Sequence, residues 1–171
     1  MASFRALAKI LTELIDGAAP DGAYVLDPED PGLLRTLDKL SFEDASRIPT
    51  SDGASIAAHV DHVRYGLSLL NRWSKGEKPF ADADWTASWE KLSVSESEWR
   101  QLRLDLGKEA YAWREALGSP REISSEEENG VVGSVVHLGY HFGSIRQMNR
   151  ALKGPSAVEA ARKELNSEQL G

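Results

Sequence analysis

Apolar residues recur three and four positions apart along most of this chain, and no stretch alternates apolar and polar residues over a strand's length. Phe4, Leu7, Leu11 and Leu14 predict a first helix, with Ser3 as its cap and Gly17 as its stop. A turn-rich stretch runs from Ala18 to Gly32. Leu33, Leu37 and Leu40 then predict one or two short helical turns within 33–46, and Pro49 and Gly53 break the chain again. Ser55 opens SIAAHVDHVRYGLSLLNRW, a helix with Ile56, Val60, Val63, Leu67 and Leu70 as its core stripe and Gly76 and Pro79 at its end. The segment PFADADWTASWEKLS is expected to be a long, partly ordered loop that Trp85 and Trp89 pin down, which also makes these two candidate lid residues. Ser95 and Glu98 form a capping box before Trp99, Leu102, Leu106, Ala110, Trp113 and Leu117, a bundle seam stopped by Gly118 and Pro120. Ser125 and Glu128 read as a second box, opening a helix over 126–152 that ends at Gly154-Pro155. The expected fold is all-α, a four-helix bundle with long connections over 18–55 and 76–95. One domain covers 1–154, and a tail over 155–171 carries a short helical pattern at Val158, Ala161 and Leu165.

With 171 residues, 41% of them hydrophobic and 27% charged, the chain is long enough to bury its own core. It contains no cysteine, which removes disulfides, thiolate zinc sites and a thiol nucleophile together. Any metal site must use His, Asp or Glu. A net charge of −7 argues against a nucleic-acid partner. The first residues are helical in spacing and interrupted by Lys9 and Glu13, unlike a signal peptide, and no stretch has the apolar length of a membrane span. A cytoplasmic location is the expectation, with no membrane partner.

The four histidines are confined to two helices: His59 and His62 in one, His137 and His141 in another. Four residues apart, His137 and His141 share a helical face, about 6 Å apart along the axis. Leu138 stands where H-E-x-x-H has its glutamate, so a zinc protease with a helix-borne base is excluded. Short histidine pairs are often plain core or surface residues. Two such pairs on two apolar helices, however, leave several buried rings that one shared ion would satisfy together. Stepping about 100° per residue from Ile56 puts His59 about 60° off the core stripe and His62 about 120° off. That favours His59, while Gly66, Leu69 and Trp73 on the flank of His62 favour packing there too. Periodicity leaves the choice open.

Two blocks, SIAAHVDHVRYGLSLLNRW and VVHLGYHFGSIRQMNRALKG, are similar to those of the DinB/YfiT-like superfamily, in order and in separation. The resemblance spans most of 1–154. It implies a four-helix bundle with a three-histidine metal site. Where that superfamily has Ser or Thr, an aliphatic residue, and a metal histidine followed by another aliphatic, this chain has Ser55, Ile56, His62 and Val63. Its later pair of histidines corresponds to His137 and His141. The resemblance therefore implies His62, His137 and His141 as ligands. His59 falls where relatives commonly carry a core aliphatic and is expected to support a ligand ring, with a fourth ligand or a buried histidine as alternatives. Ser144 departs from the pattern, since many relatives have Gln there; Gln147 lies one turn further on.

Three imidazoles leave a coordination position open for water or a substrate thiolate. All-imidazole ligation suits zinc or nickel first, and iron or copper as well. The resemblance implies a metal-dependent enzyme, either a thiol-dependent S-transferase using a low-molecular-weight thiol or a hydrolase, and a homodimer. A non-catalytic module binding a metal or small molecule is the alternative, and a plain helical bundle with buried histidines the simplest one. Tyr140, Ser144 and Arg146 are candidate substrate-pocket residues, although a packing or interface role suits Tyr140 better, and solvation or ion pairing suits Arg146 and Arg150 better. Asp61 and Arg64 read as a solvated face, Trp99 and Trp113 as core, and Gly139 and Gly143 as points of close helix approach by default, with room for a ligand as the alternative.

Overall fold

The computed structural model describes residues 2–20, 22–49, 53–91, 93–119 and 122–149. Among these the chain is helical: α1 (Ala2–Asp16), α2 (Gly32–Leu37), α3 (Phe42–Ser46), α4 (Ile56–Ser74), α5 (Ala87–Glu90), α6 (Glu96–Gly118) and α7 (Ser125–Met148), with a 3-10 turn over Pro79–Asp82. No strand occurs among the described residues. The expected tail over 155–171, Arg150 and the last residues of the predicted final helix lie outside them.

Helix boundaries follow local chemistry. The Ser55 hydroxyl accepts from the Ala58 amide at 3.2 Å and starts α4. The Ser95–Glu98 capping box forms as expected, with the Glu98 carboxylate accepting from the Ser95 amide at 2.8 Å. The second box is one residue earlier than predicted. Ser124 and Glu127 form it, not Ser125 and Glu128, and Ser125 is already the first residue of α7. Both pairs satisfy S-x-x-E, so only the path of the incoming backbone separates them. Glu126, Glu127 and Glu128 then place negative charge at the positive end of the α7 dipole. Ser3 falls inside α1 and not before it.

α4 packs against α6 and α7, and α1 packs against the same two helices. Leu11, Ile15, Val60, Leu106, Trp113, Leu138 and Phe142 fill the space between them, all buried. The polar edges of the two predicted core indoles are satisfied: Trp99 Nε1 donates to the Leu40 carbonyl at 3.0 Å and Trp113 Nε1 to Ser134 Oγ at 2.9 Å.

The connection between α1 and α2 is held by acidic side chains turned inward. The buried Glu13 carboxylate accepts from the backbone amides of Tyr24, Val25 and Leu26 at 2.7–3.1 Å. Gly17 (φ +102°) ends α1 against Gly32 (φ +74°), and a Cβ on either would collide with the backbone of the other segment. Asp30, buried beside this junction, pairs with Arg146 of α7 at 2.5 Å.

The connection from α4 to α6 is more ordered than the long loop expected from sequence. Its 3-10 turn and α5 both lie along α4, carrying Trp85 and Trp89 to the same side of the molecule as the histidines. No helix among the described residues is long and apolar enough to cross a membrane.

Candidate metal centre

α4 and α7 bring all four imidazoles into one cluster. The Nε2 atom of His137 lies 2.9 Å from Nε2 of His141 and 3.2 Å from Nε2 of His62. His62 and His141 are buried, at 7% and 3% exposure, while His59 and His137 are partly covered. A nitrogen of a neutral imidazole carries either one hydrogen or one lone pair. His137 Nε2 faces two ring nitrogens, so hydrogen bonding alone satisfies only one of the contacts well. One shared cation satisfies all three nitrogens. For bonds of about 2.0–2.1 Å in a tetrahedral set, ligand nitrogens stand about 3.3 Å apart, close to the separations here. His62, His137 and His141 together could hold a metal ion, one nitrogen from each falling within 4.8 Å of the others.

The cluster favours the uncharged rings that metal binding requires. Burial pushes His141 down to about 3, helped by the neighbouring His137, His59 and His62. Burial likewise pushes His62 down to about 4, with His137 and His59 adding to the effect and Asp61 opposing it. His59 and His137 are lowered by burial as well.

The outer nitrogens of the rings have partners. His62 Nδ1 lies 3.0 Å from the hydroxyl of Ser88, a buried residue of α5. His141 Nδ1 lies 2.8 Å from Nδ1 of His59. Were Nε2 of His62 and of His141 to share an ion, each Nδ1 would carry the hydrogen and donate outward, which would fix tautomer and ring angle. His59 thus stands where it orients His141, and its own Nδ1 is not in the trio. Trp89 stacks on His62, ring centres 4.4 Å apart, and meets His59 edge-on at 5.2 Å. The place of Trp89 over these rings agrees with its expectation as a lid residue, whereas Ser88 offered no signal in the sequence.

The three candidate pocket residues lie elsewhere. Tyr140 is 68% exposed and meets His141 edge to ring. The Ser144 hydroxyl donates to the Tyr140 carbonyl one turn back at 3.0 Å. Arg146 is spent on the buried Asp30 and lies over the Phe142 ring at 3.9 Å. None of the three lines the cavity of about 290 Å³ that opens beside His62 and His137, where Leu67, Leu138, Gly133 and Trp85 form the walls. Asp61 and Arg64 pair at 2.8 Å and are more buried than a solvated face. Gly139 approaches Leu14 of α1 closely, as expected of a helix contact, while Gly143 has no neighbour where a Cβ would stand. Compared with protein-family models, with curated proteins and with solved structures, the chain finds no match.

Proposed function

We propose that this chain is a DinB-like four-helix bundle that binds one divalent transition metal through His62, His137 and His141 and acts on a small molecule as a metal-dependent enzyme, of the thiol S-transferase or hydrolase class. The observation that carries the reading is the convergence of three Nε2 atoms, two of them 2.9 and 3.2 Å from that of His137. A cation held by three neutral imidazoles supplies Lewis acidity toward a water or a thiol at the position left open. The chain's own side chains bind and orient. Ser88 and His59 hold the ligand rings, Trp89 covers them, and an apolar cavity adjoins two of the three. A homodimer accompanies this reading through the superfamily resemblance, and light scattering tests it.

The test is metal analysis of the purified protein. One transition-metal ion per chain, absent from the His62→Ala and His141→Ala variants, supports the site. An unmetallated protein whose stability does not change with added zinc, nickel or cobalt overturns it. Metal-loaded protein then enters a screen of thiol conjugation and ester or amide hydrolysis, in which turnover that depends on the metal separates an enzyme from a binding module.

A further inference from the structure

Resting on the metal reading above, we propose that the site takes a neutral substrate whose apolar group enters the cavity beside His62 and His137 while its polar end reaches the metal. Three observations carry this. The cavity and the histidine cluster are continuous, because His62 and His137 belong to both. The lining contains no carboxylate, lysine or arginine; apart from the two histidines its polar side-chain groups are the indole N–H of Trp85 and the hydroxyl of Ser134, which already donates to the Val131 carbonyl at 2.6 Å. Charge enters in the adjoining hollows past Phe80, one lined by Glu126 and Glu127 and another by Glu77, Lys78 and Glu122. An ionic group in this cavity would lose part of its water and meet no side chain of opposite charge in the lining. A hydrocarbon group loses nothing there and leaves water.

The size limit comes from α7. Gly130 and Gly133 precede His137 by seven and four residues, so both lie on its helical face. A Cβ built on either meets no heavy atom within 4 Å. Glycine is a poor choice in a helix interior, and here its absent side chains leave the cavity its volume. At about 290 Å³ the space is roughly twice the ~150 Å³ that admits benzene in an apolar protein cavity. It therefore suits a group from phenyl to naphthyl in size. Gly130 and Gly133 become specificity-determining positions.

The test uses the full chain loaded with cobalt(II), whose visible bands report ligands arriving at the metal independently of turnover. Imidazole, 4-phenylimidazole and imidazole-4-acetate are titrated in turn. The expected result is binding of 4-phenylimidazole about tenfold or more tighter than imidazole, with imidazole-4-acetate no tighter than imidazole. Gly133→Leu, and independently Gly130→Leu, should bring 4-phenylimidazole down to the level of imidazole while leaving imidazole itself unchanged. Equal affinities for imidazole and 4-phenylimidazole, a preference for the carboxylate, or a phenyl preference that survives both leucines overturns the cavity's role and leaves the metal site standing. Failure of cobalt to bind overturns both.

Discussion

The Nδ1 atoms of His59 and His141 stand 2.8 Å apart, so the ring of His59 backs the ring whose other nitrogen faces His137. Of the two histidines that α4 offers, one therefore reaches the shared centre and the other holds a neighbour in place. Helical spacing alone left these roles open, and they carry different consequences for metal binding.

Replacing His59 by alanine should weaken metal affinity by about 10–100-fold without abolishing it, the usual loss when a residue supporting a ligand ring is removed. Ser88→Ala should behave in the same way through His62. His62→Ala and His141→Ala should reduce binding far more. Competition against a chromophoric chelator measures all four. A His59→Ala protein that binds metal no better than His62→Ala would make His59 a ligand.

Acid should destabilise the metal-free protein. His141 and His62 are held at about 3 and about 4 by burial in the folded chain, against about 6.5 when unfolded. Between about pH 6.5 and 4 the unfolded chain therefore carries protons that the folded chain refuses, and stability rises with pH across that range. The contribution is complete above the unfolded value and is lost as pH falls toward the folded ones. Unfolding at pH 5 should take up about two protons per chain from these two groups. Urea titrations at pH 5, 6 and 7 would show the midpoint rising with pH; a flat midpoint contradicts the assignment of these rings as uncharged.

Arg146 should matter to stability and not to ligand binding. Arg146→Met leaves the Asp30 carboxylate, 1% exposed, buried without its cation, which costs roughly 3–5 kcal/mol. Asp30→Asn in the same chain should restore part of the loss. Chemical denaturation of the single and double variants checks this. Unchanged stability with weakened ligand binding would return Arg146 to the substrate pocket.

Much of the molecule was legible because helices are local. The 3.6-residue period sets which side chains share a face, so the buried stripe Ile56, Val60, Val63 and Leu67 could be read directly, as could the shared face of His137 and His141. Caps are equally local, and the one-residue error at Ser124 arose where two overlapping S-x-x-E patterns competed in a run of serines and glutamates. The chain determined by itself that it is helical, that its core stripes lie where they do, and that its histidines sit on only two helices. Tertiary structure decided the rest, because spacing along one helix says nothing about its rotation against another. Burial of the α4 and α7 stripes brought His62 and His137, 75 residues apart, to one point, and laid the α4–α6 connection so that Ser88 and Trp89 reach the same rings. It also joined Arg146 to Asp30, 116 residues away, since a buried carboxylate must be met by donors or a cation wherever in the chain they can be found.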